Sequence, residues 1–419
     1  MTARSGGAEE TGQAPDERRS LSRNSDFLLF IAIRLFNVLG IQMLTVAVGW
    51  QVYQMTRNPL DLGWVGLSQF APVLVLFLLA GLAADRFDRR KILAVCNAAH
   101  AAVAGLLLIY TYSRVSVVWP IFLILVVHGA ARSFFQAASQ AILPNIVPVR
   151  SFPNAVAYSS SVLKVGQLVG PAMGGVLIAV AGDWVYLAAA VTFAVAAGAS
   201  ALIAVRLTIR AREASGWEEI LGGIAYIFRR RIVLGAISID LVAVLFGGVV
   251  GILPVFASDI LHVGPEGLGM MRAMPAFGAI FVGILLARLP QTRRMGPIFF
   301  VSLTVFGASV IVFSLSEIFW LSLAALAVYG ASDMVSVYIR QTLVQVATPD
   351  GMRGRVSAVN AVSITASNEL GDFRAGVMAA GIGTVPAVFL GGVATLAAAA
   401  LWWRVFPSLG RVDRLDQVE

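Results

Sequence analysis

Ten ionisable side chains interrupt long apolar stretches of the chain: Arg34, Arg132, Lys164, Asp240, Arg272, Asp333, Arg340, Glu369, Asp372 and Arg374. In hydrocarbon an unpaired charge costs several kcal/mol, so such residues persist where they pair, bind protons or meet a charged ligand. Counted at ~1.5 Å per residue from the nearest apolar edge, Arg34 and Asp240 lie roughly 10 to 12 Å from one face of a bilayer, and Arg132 and Asp333 roughly 15 to 20 Å from it. Asp240 is the leading candidate for proton binding, with Arg34 or Arg132 as a partner it exchanges, because a desolvated carboxylate takes up a proton and an approaching guanidinium expels it. A permanent Asp–Arg bridge that only fixes helix packing is an equal alternative. Glu369 and Asp372 share one helical face at i and i+3. With Arg374 and Arg272 at a similar depth they form a candidate neutral network, structural or gating in role. Lys164 either pairs with an acid across a helix interface or binds an anionic ligand.

Other chemistry is not encoded. His100 and His128 also fall in apolar stretches. A histidine can relay protons near neutrality, but a neutral ring bonded to a neighbouring carbonyl is the favoured reading. No His or Cys spacing suits a metal. Cys96 is the single cysteine, so no internal disulfide forms. No glycine-rich phosphate loop is present, so neither ATP hydrolysis nor another cofactor is expected. Neither a nucleophile–base pair nor a metal set marks the chain as an enzyme.

The elements that must position these charges follow from composition. The 419 residues are 58% hydrophobic and 13% charged, against about a quarter charged in soluble domains, which excludes water as the main solvent. Apolar residues plus glycines number about 283, enough for roughly twelve helices of 20 to 25 residues. The apolar runs are continuous rather than alternating, which excludes an outer-membrane barrel. Spans are expected at 27–54, 62–84, 92–113, 118–143, 156–180, 184–206, 233–259, 268–289, 296–315, 318–346, 355–380 and 386–406. With the N-terminus cytoplasmic, 23 of the 31 Lys and Arg fall in cytoplasmic segments and only Arg57 and Arg114 in external loops. Both termini are therefore expected inside, and the net charge of +8 reads as topology rather than nucleic-acid binding.

The expected fold is an all-α membrane protein of twelve transmembrane helices in two pseudo-symmetric six-helix bundles, the layout of transporters built by duplication. Its parts are a disordered N-terminal tail (1–26), a first bundle (27–206), a linker (207–232), a second bundle (233–406) and a C-terminal tail (407–419). Within the linker Trp217, Ile220, Leu221, Ile224 and Phe228 recur at helical spacing, opposite Glu218 and Glu219 and ahead of Arg229 to Arg231. This predicts an amphipathic helix on the inner leaflet, acting as a tether or as a regulatory docking site.

Three motifs point to a family. Between the second and third spans Gly81, Asp85, Arg86, Arg89 and Arg90 resemble the signature loop of the major facilitator superfamily, with Asp88 in place of its second glycine. In the fifth span Gly166, Gly170, Pro171, Gly174 and Gly175 resemble the element that the superfamily's exporting antiporters carry. A worn second copy of the loop stands at Gly283, Arg288, Arg293 and Arg294, with Ala287 where the acid would be. Further stretches, among them Val48 to Tyr53, Ser238 to Leu241, Gly330 to Ser336 and Ser367 to Arg374, resemble the enterobactin-exporter-like, or transmembrane secretion effector, branch over residues 27–406.

The resemblance implies that spans one, four, seven and ten line a central cavity, so that Arg34, Arg132, Asp240 and Asp333 share one vestibule. It implies that Asp85 and Arg89 latch the cytoplasmic end. The aromatics Trp50, Tyr53, Phe70, Phe246 and Tyr338 are mostly packing or interface residues, with Trp50 and Gln51 of span one the candidates for touching cargo. The activity implied is secondary active transport: a proton-coupled exporter of an amphipathic small molecule such as a siderophore, macrolide or drug. It would work as a monomer in the bacterial cytoplasmic membrane, with protons, the small molecule and the lipid bilayer as its partners and no nucleic acid. An importer or uniporter of the same fold, and a non-transporting sensor or scaffold, are the alternatives.

Overall fold

The computed structural model describes residues 21, 23–204, 217–288 and 293–413. The expected tails up to residue 20 and from 414, and the first part of the linker, lie outside these. Six long helices come first: α1 (Ser25–Thr56), α2 (Pro59–Arg86), α3 (Arg89–Tyr112), α4 (Trp119–Ile146), α5 (Phe152–Ala181) and α6 (Val185–Leu202). A linker helix, Trp217–Arg229, leads to six more. These are α7 (Arg231–Gly247, prolonged by short turns to Ile260), α8 (Gly264–Arg288), α9 (Met295–Leu315), α10 (Phe319–Val346), α11 (Asp350–Ile382) and α12 (Thr384–Val405). Ten stretches are long and apolar enough to cross a membrane; α5 and α6 share one, Val149–Leu202. The 33-residue α11 is long enough but too polar, with Glu369, Asp372 and Arg374 along it.

Local chemistry sets the ends. Asn24 caps α1 by accepting the Phe27 N–H, Asn58 caps α2 ahead of Pro59, and Asp88 caps α3 by accepting the Arg90 N–H. Each cap satisfies an N–H that the first turn leaves free. The N-terminal boundary therefore needs correcting: Ser25 and Asp26 already belong to α1, and Asp26 accepts the Ala204 N–H at 2.8 Å. The C-terminal boundary moves too. Leu409 and Val412 are buried against Met295, Phe299 and Phe300, and Gly296 donates its N–H to Val412 O at 2.8 Å.

Packing repeats between the halves. In the first, α1 packs on α5 and α6, α2 on α4, and α3 on α4 and α6. In the second, α7 packs on α11 and α12, α8 on α10, and α9 on α10 and α12. That is the same map shifted by six helices, as duplication requires. The halves meet where α2 lies on α11 and α5 on α8. An even number of crossings puts both described ends at one face, here the basic face, which also carries the Arg86–Lys91 turn and the linker helix.

Two features of the second bundle depart from a plain helix. Helix α7 breaks at Gly248 and continues through a 3-10 turn at Val250–Ile252 and a wide turn at Phe256–Ile260. The linker helix does not merely lie on lipid: Tyr226 donates to Ala347 O at 2.8 Å, and Ile227 is buried with Val233, Ile237, Val344 and Val356. Gly223 lets it approach, since a Cβ there would sit 2.8 Å from Arg355 O. Of its expected apolar face, the side chains of Trp217, Ile220 and Leu221 lie outside the described residues.

Candidate functional site

The intramembrane charges form two groups at different depths rather than one. Nearer the basic face, Asp240 of α7 is held by Arg340 of α10, Oδ1 to Nε 3.2 Å, with side chains only 6% and 1% exposed. Arg340 also donates to Asn360 of α11 at 2.8 Å. The partner of Asp240 is thus a guanidinium of its own bundle; neither Arg34 nor Arg132 fills that place. Asp333, half-buried and two turns before Arg340 in α10, feels the charges of Asp240, Arg340 and Lys164. Arg34 packs its guanidinium 5.9 Å from the Phe30 ring centroid. Among the described residues neither Arg34 nor Lys164 has an ion-pair partner.

The second group straddles the boundary between the bundles. Arg132 of α4 reaches Glu369 of α11, Nη1 to Oε1 3.2 Å. Around it the break in α7 exposes backbone groups that hydrocarbon cannot solvate, and the charged side chains supply partners. Arg374 donates to Phe246 O at 2.7 Å, Arg272 to Val250 O at 3.3 Å, and Gly251 donates its N–H to Asp372 at 2.9 Å. The charges of Asp372 and Glu369 both act on Arg272. Glu369, Asp372, Arg272 and Arg374, grouped by sequence, do meet; the addition is Arg132, and with it a bond from one bundle to the other. Two arginines capping a broken helix carry no pattern in the sequence beyond Gly247-Gly248.

Toward the face opposite the basic one, the bundles are joined again. Arg57 at the end of α1 pairs with Asp259 at 3.0 Å and donates to Ser258 at 2.8 Å. Tyr53 also donates to Asp259, and Gln54 to Ser258 at 3.2 Å. By sequence alone Arg57 is a loop charge and Tyr53 a packing residue; the one signal that could link them is Asp259, at the same level of the seventh span. Below this lock α5 touches α8 at glycines: a Cβ on Gly175 would lie 2.4 Å from Pro265 O. Gly166, Gly170 and Gly174 serve α1 instead, abutting Val38, Gln42 and Met43, and Pro171 O lies against Gly269.

The basic face is different. Asp85 and Arg89 stand 3.9 Å apart, and Arg89 donates to Ala84 O, Ala141 O and Asn145 Oδ1, all in the first bundle. Among the described residues the hydrogen bonds and ion pairs of this loop stay within that bundle, and none latches it to the other. Arg86 is exposed and Gly81 has open space beside it. Asp88 acts locally instead, capping α3 and pairing with Arg90 at 2.8 Å, while Arg90 reaches Ile203 O at 2.7 Å. Hydrogen bonds from Arg90 hold the Asp88 carboxyl below the usual carboxylate range.

Trp50 and Gln51 do not face the space between the two charge groups. They line a cavity of about 770 Å³ toward the opposite face, with Thr111, Tyr186, Pro265 and Glu266. Gln51 is pinned there, donating to Thr111 at 2.9 Å and accepting from Tyr186. His100 and His128 face each other, Nδ1 to Nδ1 3.0 Å, instead of each finding a carbonyl, and both are fully buried.

With this geometry the comparisons agree. The sequence matches the family described as transmembrane secretion effector over residues 21–418. The chain belongs to that family, a branch of the major facilitator superfamily. Among curated relatives of this secretion effector protein, the enterobactin exporter EntS of Citrobacter koseri is 25% identical over 363 residues, spanning 85% of each chain. The staphyloferrin A transporter of Staphylococcus aureus is 25% identical over 295 residues, 69% of this chain and 71% of that one. Among solved structures, an inward-facing, unoccupied bacterial homologue of the human lysosomal transporter Spinster superposes with a TM-score of 0.72 at 14% identity, covering 95% of this chain and 99% of that one. The nucleoside transporter NupG gives 0.68 at 13%, covering 91% and 99%. The protein is a multi-pass membrane transporter of small molecules, of siderophore-exporter type, and not an enzyme.

Proposed function

We propose that this chain is a proton-coupled exporter of an amphipathic small molecule of the siderophore class, working as a monomer by alternating access with its basic face in the cytoplasm of a bacterium. Two relatives are named an enterobactin exporter and a staphyloferrin A transporter, which supports the siderophore class. The observation that carries the reading is the asymmetry of the joints: the bundles are bonded by Arg57–Asp259 and Arg132–Glu369, while among the described residues the Asp85 loop makes no hydrogen bond or ion pair to the other half. That is the cargo-accepting state, open to the cytoplasm.

Glu369 is the coupling carboxylate in this scheme. Its guanidinium partner sits on the opposite bundle, so rocking the halves apart strips it of Arg132, and a carboxylate left alone in a low-dielectric site takes up a proton. Return to the cytoplasm-open state restores Arg132 and expels the proton on that side, before the next cargo binds. Asp240 keeps Arg340 whichever way the bundles turn and serves packing; Asp333 and Asp372 are the further acids on the route. The test is pH-dependent uptake into everted vesicles across a panel of siderophores, macrolides and dyes. Proton-linked movement of at least one compound supports the reading; none, with folded protein in the membrane, overturns it.

A further inference from the structure

The two cations left without ion-pair partners among the described residues lie at nearly one level of two neighbouring helices. Helices α1 and α5 run side by side, with Val38 against Gly166 and Gln42 against Gly170, so both advance together from the basic face. Arg34 lies one turn before Val38, and Lys164 lies two residues before Gly166. The two side chains therefore stand at nearly the same level of neighbouring helices. Lys164 is exposed and Arg34 half-buried, whereas the carboxylates at similar or greater depth are engaged: Asp240 by Arg340, Glu369 by Arg132, Asp372 by the Gly251 N–H. Asp333 lies across the gap on the second bundle. It feels the charge of Lys164, yet the two do not come within ion-pair distance.

We infer that Arg34 and Lys164 form a binding site for an anionic group of the cargo, an organic carboxylate or ionised phenol, with Asp333 facing it from the other bundle. Unpaired cations at this depth persist where water or a counter-anion reaches them, and a bound anion supplies the charge that neither residue finds in the protein. A forked guanidinium and an ammonium both suit the oxygens of a carboxylate by charge-assisted hydrogen bonds. When the halves close at this level, Asp333 nears Lys164 and competes with the anion, which favours its release on the other side. This inference rests on the exporter reading above and narrows its cargo to anions.

Binding to the full-length protein in lipid nanodiscs separates the two. Fluorescein and rhodamine 6G share one aromatic frame and carry opposite charge, so fluorescence polarisation with each reads the sign of the site. The site predicts that fluorescein binds in preference to rhodamine 6G. It predicts a loss of about tenfold or more in fluorescein affinity for Arg34→Gln and for Lys164→Gln, the size of a charge-assisted hydrogen bond, and recovery in Lys164→Arg. Unchanged thermal unfolding shows that the variants are folded. Equal fluorescein binding by wild type and the double variant, preference for the cationic dye, or no fluorescein binding at all would each overturn the anion site. Any of these beside intact proton-linked efflux of another compound would leave the exporter reading standing, whereas no efflux of any compound would count against the reading itself.

Discussion

Asp240 and Arg340 show what a charge pair does when both members are buried. Breaking it from one side leaves a guanidinium without its counter-charge, which typically costs about 3 to 5 kcal/mol. Asp240→Asn is therefore expected to lower Tm in detergent markedly, and Asp240→Asn with Arg340→Met to recover most of the loss; an unshifted Tm in the single variant would show that the pair is not coupled. Asp88 gives a weaker effect with a pH signature. Its carboxyl is held below its ordinary range by Arg90, so the contribution is whole above the unfolded value near 4 and is lost as pH falls through the folded one. The Tm difference between wild type and Asp88→Asn should be constant from pH 8 to about 5 and shrink below about pH 4; a difference that grows on acidification would reverse the sign of the assignment. Counting along a helix places Asp240 and Arg340 within apolar spans. It does not give their partners: Arg340 stands far beyond Asp240 in the chain, with nothing in the residues between to link them, and only the packing of α7 against α10 selects it.

At the scale of helices, the spans were readable because hydrocarbon imposes one length and one polarity, and the edges agree to about a turn, the largest difference being α11, which starts at Asp350 rather than 355. The break in α7 was not readable, since Gly247-Gly248 is compatible with close packing as well as with unwinding, and Arg272, Asp372 and Arg374 lie far away in sequence. The glycine run of α5 was legible as small-residue packing, but it splits into two faces, one for α1 and one for α8. That split is testable. In Gly175→Val the added side chain meets Pro265 O of the other bundle and should hold the far face apart. Gly81→Ala meets nothing within 4 Å and should behave as wild type. Spin labels at Arg114→Cys and His262→Cys, in a Cys96→Ser background, report that separation: longer distances for Gly175→Val alone are expected, and the same distribution in all three proteins would show that the α5–α8 contact does not govern closure.

Taken as a whole, the molecule is two copies of one packing map joined along α2–α11 and α5–α8, and everything it can do as a transporter depends on which joints are made together. Two ion pairs join the bundles, and Arg132–Glu369 is the less exposed of them; in the proposed scheme it ties the position of the bundles to the binding of a proton. Glu369→Gln keeps the shape of the side chain and removes its charge, so cargo can still cross by exchange while the proton gradient can no longer drive it. In proteoliposomes, radiolabelled-cargo counterflow measured beside pH-jump-driven flux separates the two, using a compound that wild type is first shown to move. Glu369→Gln is expected to retain counterflow close to wild type and to lose its response to the pH jump; a full proton-driven response in that variant would contradict the coupling role of Glu369.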